Sequence, residues 1–116
     1  MAQLRNVAHR IEIEPVAGRV RAEVGADVLA DSTNVLVLRE GKLPERYYFP
    51  LADVRTELLT PSDAQTHCPF KGEASYYDYG DQSEFAWYYP EPIASVEAIR
   101  GRIAFYDDRV TLVVDG

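Results

Sequence analysis

The chain has little of what many catalytic and binding sites are made from. Among its 116 residues there is one cysteine, Cys68, and there are two histidines, His9 and His67. A single cysteine forms no internal disulfide, which points to a reducing, cytoplasmic setting. With so few soft ligands and no ligand-like spacing among them, no metal site is expected and no cofactor is implied. A glycine-rich phosphate loop is missing, as is a serine in a nucleophile elbow. No apolar run approaches the roughly 20 residues of a membrane-spanning helix, so no membrane partner is expected. The first ten residues are polar and lack the apolar core of a secretion signal. Basic residues are also scarce, 12 against 19 acidic, for a net charge of −7. They do not cluster, which argues against a nucleic-acid partner, since phosphate binding needs a basic patch.

What is present reads as one domain spanning residues 1–116, with 1–10 as a loose lead-in. Alternation of apolar and polar residues predicts strands over 9–15 and 18–24, and β-branched and leucine content predicts one over 35–40. Gly25-Ala26-Asp27 predicts a hairpin turn, and Asp31-Ser32-Thr33-Asn34 a second turn, where side chains bond nearby backbone. Arg46–Phe49 predicts another strand, stopped by Pro50. Leu51, Val54 and Leu58 share helical spacing, which predicts a short helix over 51–59. Residues 60–70 show no periodicity and read as a loop. Two aromatic strands follow, over 73–79 and 83–89. Ser95 is placed to cap a helical turn that ends before Gly101. Residues 102–106 and 109–114 read as a closing hairpin about Asp107-Asp108. The sum is a mainly β domain, an antiparallel rolled sheet or barrel with one or two helical turns.

Eight of the chain's aromatic residues fall between Phe70 and Tyr89, around Cys68-Pro69-Phe70-Lys71-Gly72. Tyrosine joins an apolar ring to a polar tip. Tyr48, Tyr76, Tyr77, Tyr88 and Tyr89 therefore read as candidate walls of a concave site. Alternation places Leu36, Leu38 and Glu40 on one strand face. Glu40 is then either solvated past the strand end or a carboxylate at a pocket mouth. By the same rule Phe85, Trp87 and Tyr89 share a face, with Ala86 and Tyr88 opposite. Trp87 is either a core residue or a ligand platform.

Cys68 reads as a nucleophile, as a pocket lining or as a small buried hydrophobe. Lys71 reads as a ligand-binding cation or as a structural partner of Glu40 or Asp53. Gly72 allows a positive φ or a close backbone approach. Three function classes fit. One is a module that binds a small, partly apolar or anionic molecule, with Lys71 reading an anionic or carbonyl group and Glu40 a donor. Another is an enzyme acting covalently through Cys68 or Lys71, with Glu40 or Tyr48 moving protons. The third is a self-associating homodimer, in which 35–38 or 110–114 pairs with a second copy.

The order and spacing of several pieces resemble a known family. They are Ala30-Asp31-Ser32, Glu40, Tyr48-Phe49-Pro50 with Asp53-Val54, and Cys68-Pro69-Phe70-Lys71-Gly72. Ala74, Tyr76, Tyr77, Ala86-Trp87, Tyr89 and the run from Ile99 through Gly101 to Tyr106 complete the set. From about residue 19 to 114 the chain is similar to the domain of unknown function 427 family, elsewhere labelled a nucleotidyltransferase domain. The resemblance implies a β-tent, two antiparallel sheets leaning together over a cleft. It also implies that Glu40, Tyr48, Cys68, Lys71, Trp87 and Tyr106 gather there.

Overall fold

The structure is a computed structural model, and it describes residues 10–115. The lead-in expected over 1–10 lies outside the described residues except for Arg10. Ten strands occur in chain order: β1 (Ile11–Pro15), β2 (Arg19–Val24), β3 (Asp27–Ser32), β4 (Leu36–Glu40) and β5 (Arg46–Phe49) come first. They are followed by β6 (Thr60–Cys68), β7 (Gly72–Tyr79), β8 (Gln82–Tyr88), β9 (Ile103–Phe105) and β10 (Thr111–Asp115). All pairings are antiparallel. A seven-stranded sheet has the order β1-β4-β5-β9-β8-β7-β6, and a three-stranded sheet the order β10-β2-β3. The mainly β, two-sheet reading of the sequence is therefore correct.

The two sheets enclose a packed core. Val20 and Ala22 of β2 and Leu29 and Ala30 of β3 meet Phe49, Phe85, Ile103 and Phe105 of the large sheet. Phe105 stands edge-on to Phe49 at 5.8 Å and to Phe85 at 6.2 Å between ring centroids. A second cluster covers the opposite face of the large sheet. It holds Leu38, Tyr48, Ala74, Tyr76, Trp87, Tyr89 and Ala104, with Val96 and Ile99 folded over them. The aromatic wall therefore lies on the outer face of the large sheet and not in a cleft between the sheets.

Four expectations from the sequence are corrected. The helix over 51–59 is two single 3-10 turns, Leu51–Asp53 and Thr56–Leu58. Val54 between them is extended and bridges to Ala30, and Leu51 is exposed. The loop over 60–70 is largely β6, an edge strand with a register shift between Pro61 and Gln65. Its outer side meets water, so no apolar alternation marks it. The closing hairpin does not form: β9 joins the large sheet between β5 and β8, whereas β10 joins β2. Ser95 caps nothing; the 3-10 turn Ala94–Ile99 begins after Ile93 without a side-chain cap.

The faces mostly follow alternation, with one exception. Glu84 has a φ of +53°, and the β7–β8 register shifts between Tyr77 and Tyr79. This irregularity turns Phe85 into the core between the sheets, away from Trp87. The dimer edge expected over 35–38 is already used, because β4 pairs with β1 on one side and β5 on the other.

The family-like pieces near residues 30 and 53 have a structural role. The Ser32 hydroxyl donates to Asp53 at 2.6 Å, and its oxygen accepts the Asn34 amide at 2.9 Å. With the Ala30–Val54 bridge, this clasp ties the small sheet to the chain leaving β5. Gly72 meets both expectations for it. Its φ is +117°, and a Cβ there would stand 3.3 Å from the Glu91 carbonyl oxygen. Gly72→Ala is expected to cost about 1–3 kcal/mol through backbone strain, read from the midpoint of urea unfolding. A loss under about 0.5 kcal/mol would show that the turn relaxes freely.

Candidate functional site

One cross-strand row organises the outer face. Tyr48 of β5 lies opposite Ala104 of β9, Ala104 opposite Trp87 of β8, and Trp87 opposite Tyr76 of β7. The methyl group of Ala104 leaves space above it. Tyr48 and Trp87 lean in from either side to a centroid separation of 6.4 Å, nearly perpendicular. The Trp87 indole N–H donates to the Tyr48 hydroxyl at 3.2 Å.

Glu40 and Lys71 meet across this row. The Lys71 ammonium donates to Glu40 Oε1 at 2.7 Å, with side-chain exposures of 13% and 9%. Glu40 ends β4, and Lys71 lies in the turn between β6 and β7. Between β4 and β7 stand β5, β9 and β8. In a flat sheet those four gaps would span about 19 Å, too far for two side chains to join. The large sheet is therefore rolled, and its aromatic face is concave. Glu40 is buried at the mouth of that face and not solvated past the strand end. Asp53, the other partner weighed for Lys71, bonds Ser32 instead.

Further polar groups line the same face. The Tyr76 hydroxyl shares a 2.7 Å hydrogen bond with the Thr66 hydroxyl. Arg46, two residues before Tyr48 on β5, sets its guanidinium 5.4 Å from the Trp87 ring centre and 5.8 Å from that of Tyr106. Tyr106 in turn packs on Trp87 at 4.5 Å. Cys68 closes β6 beside this cluster, half-buried, with a free thiol.

Glu40, Tyr48, Cys68, Lys71, Trp87 and Tyr106 thus come together from six positions spread along the chain. Tyr88 does not join them. It packs against Tyr77 at 5.2 Å on the face turned toward the small sheet. Arg46 and Thr66 are members that sequence reasoning missed. Alternation with Tyr48 was the available signal for Arg46; Thr66 was hidden in the stretch without periodicity. His67 faces away from Cys68, in a depression of about 480 Å³ shared with Gly72, Glu73, Pro90 and Glu91. Two other depressions flank the concave face. One of about 330 Å³ is lined by Ser83, Glu84, Tyr106, Asp108 and Arg109. One of about 260 Å³ lies among Ile11, Pro69, Phe70, Ile93, Ser95 and Val96. Neither is lined by Tyr48, which is fully buried, or by Tyr89.

Much of the hydrogen-bonding capacity here is unspent. The Tyr48 oxygen accepts from Trp87, which leaves its proton free to donate. Among the described residues the Tyr89 hydroxyl has no hydrogen-bond partner, although Tyr89 is only 5% exposed. Lys71 uses one of its three donors, and Glu40 one of its two oxygens. Among the described residues, the buried side-chain polar atom without a partner is Arg21 Nε, away from this face, so the spare capacity of Tyr89, Lys71 and Glu40 is open to water.

The pair of phenols has a pH consequence. Burial raises the pKa of Tyr48, opposed by the Trp87 hydrogen bond, and burial raises that of Tyr89, reinforced by its neighbours Tyr48 and Cys68. Both hydroxyls therefore stay protonated donors. A raised acid pKa contributes stability that is whole below the ordinary tyrosine value of 10.0. That stability fades as pH climbs above it toward the folded value. In an alkaline titration followed by tyrosinate absorbance, Tyr48 and Tyr89 are expected to ionise only as the fold is lost. Ionisation of all eight tyrosines near pH 10, with the circular dichroism unchanged, would contradict their burial.

A profile described as Domain of unknown function (DUF427) matches residues 12–116. The chain belongs to the DUF427 family. No curated protein matches it. DUF427 is an uncharacterised domain family, so membership supplies no reaction. Among the described residues no group of three His, Cys, Asp or Glu side chains is arranged to hold a metal ion. Among them, too, no helix is long and apolar enough to cross a membrane. Within this DUF427 domain, Lys71 is paired with Glu40 at 2.7 Å. Cys68 carries the only free thiol at the face.

Proposed function

We propose that this DUF427 domain binds a small, partly apolar molecule on the concave face of its large sheet. Lys71 holds the polar end of the ligand and Glu40 accepts from it, with Tyr48 behind them fixing Trp87. Trp87, Tyr76 and Tyr106 contact the remainder. One observation carries this reading: a largely buried ion pair, Glu40–Lys71, sits beside a face of packed tyrosines and Trp87. Such convergence of a few polar groups on an apolar wall is the usual make-up of a ligand site. The flanking depression at Tyr106 supports access from that side.

Trp87 is the chain's only tryptophan, so its emission reports on this face alone. The test titrates the protein with a panel of small carboxylates, phosphates and amides, following that emission. A saturable change is the expected result. If no compound in the panel gives a saturable change, the binding reading falls.

A further inference from the structure

The free edges of the two sheets are not alike. β1 carries Glu12 and Glu14 and stops at Pro15, and β6 has Pro61 and a register shift. β3 carries Asp27 and Asp31, and its Ala30 is bridged by Val54. Charges, prolines and irregular register keep an edge strand from pairing with another chain. β10 pairs with β2 on one side and, among the described residues, with no strand on the other. Its run Thr111-Leu112-Val113-Val114 has no charge, no proline and no shift in register.

The apolar side chains of β10 point where a further strand would continue the core. Leu112 lies opposite Ala22 and Val114 opposite Val20, both fully buried. Leu112 packs against that core, whereas Val114, at the margin of the sheet, is 46% exposed.

We infer that β10 is a dimer seam, at which two copies of the chain join edge to edge and antiparallel about a two-fold axis at Val113. The two small sheets become one sheet of six strands. Val113 then faces its own counterpart, Leu112 faces Val114 of the second copy, and Thr111 faces Asp115 of the second copy. This register pairs all five residues of β10. It gathers Leu112 and Val114 of both copies on the inner side, where a slip of one residue would turn one set outward. It also sets the strand's one charge, Asp115, against a hydroxyl. An axis at Asp115 would instead bring two carboxylates face to face. A strand from another protein would need this same alternation and this same uncharged centre, and β10 supplies both itself. The seam belongs to the small sheet, which packs on the face of the large sheet away from Trp87, so the inference is independent of the binding reading.

The experiment is sedimentation of the full chain from about 1 µM to about 1 mM, the range in which a small interface dissociates. Salt of about 0.15 M screens the net charge of −7 on each copy. The mass is expected to rise from 13.1 kDa toward twice that value. Val114→Lys keeps its ammonium in water in a single copy but would bury it in the seam, so it should stay at 13.1 kDa. Register is read by oxidation in a Cys68→Ser background, with folding checked by circular dichroism. Val113→Cys places two thiols across the axis, at a Cα separation of about 4.5–5.5 Å that a disulfide spans. Thr111→Cys leaves them about 13 Å apart along the strands, too far to bridge. Covalent dimer is expected from Val113→Cys and little from Thr111→Cys. A wild-type mass that stays at 13.1 kDa at the highest concentration overturns the inference. So does a dimer that forms as readily in Val114→Lys, or cross-linking at Thr111→Cys as fast as at Val113→Cys.

Discussion

Lys71→Met is expected to lower the stability of the domain by about 3 kcal/mol, because it leaves the Glu40 carboxylate buried without its partner. Methionine keeps most of the volume, so the loss is electrostatic and not a cavity effect. The residual exposure of the pair, 13% and 9%, lets some water reach Glu40 and holds the cost at the lower end of the range for buried pairs. In thermal unfolding the midpoint should fall by about 12 °C for a domain of this size. The double variant Glu40→Leu, Lys71→Met should recover most of the loss, since an apolar pair of similar volume replaces the ion pair without stranding a charge. A single-variant loss under about 1 kcal/mol would show that the pair is solvated in solution. The concave face would then be open to water at its mouth.

Phe105→Ala is expected to cost about 4 kcal/mol, from lost apolar burial plus the cavity left behind. Phe105 is nearly inaccessible and packs edge-on between Phe49 and Phe85. Its neighbours sit on strands paired on both sides, so the space cannot close by a simple shift. Phe105→Leu keeps most of the volume and should cost less than about 1.5 kcal/mol. The two variants, compared by urea unfolding, separate volume from ring geometry. Equal losses would mean that the edge-on contacts matter more than the space they fill. Because Phe105 points between the sheets and Ala104 points out, the Trp87 indole resonance should stay near its wild-type position in Phe105→Leu.

The parts of this architecture that local chemistry controls were legible in the sequence. Gly25 announced its hairpin turn, and alternation along residues 35–40 put Glu40 on the face of Leu38. Lys71 was weighed as a partner of Glu40, which it is. What stayed hidden depends on distant pairing. Nothing near residues 102–114 distinguishes a hairpin from two strands that leave for different sheets. Thr60–Cys68 is a strand because Gly72–Tyr79 offers it hydrogen bonds, and its own composition, with Pro61, Ser62 and Asp63, argues for a loop. Leu51, Val54 and Leu58 have helical spacing, yet Pro50 and the pull of Ala30 on Val54 break the run into two turns. For the site, alternation already set Tyr88 opposite Trp87. Its grouping with the other tyrosines rested on composition, and the sheet separates them. Six distant positions converge only because the sheet rolls, and no local pattern encodes that curvature.

The place of β9 carries a consequence for how the domain comes into being. Its three residues, Ile103–Phe105, are the central seam of the seven-stranded sheet, with β1, β4 and β5 on one side and β8, β7 and β6 on the other. Both flanking halves precede this tripeptide in the chain, so the inner edges of β5 and β8 have no partner until Ile103–Phe105 is made. The Tyr48–Trp87 contact spans that seam, so the aromatic face does not exist in a nascent chain that stops short of Ala104. Assembly is governed by long-range closure and should be slow for a chain of this length. Until the seam closes, the inner edges of β5 and β8 are the surfaces a chaperone would have to shield.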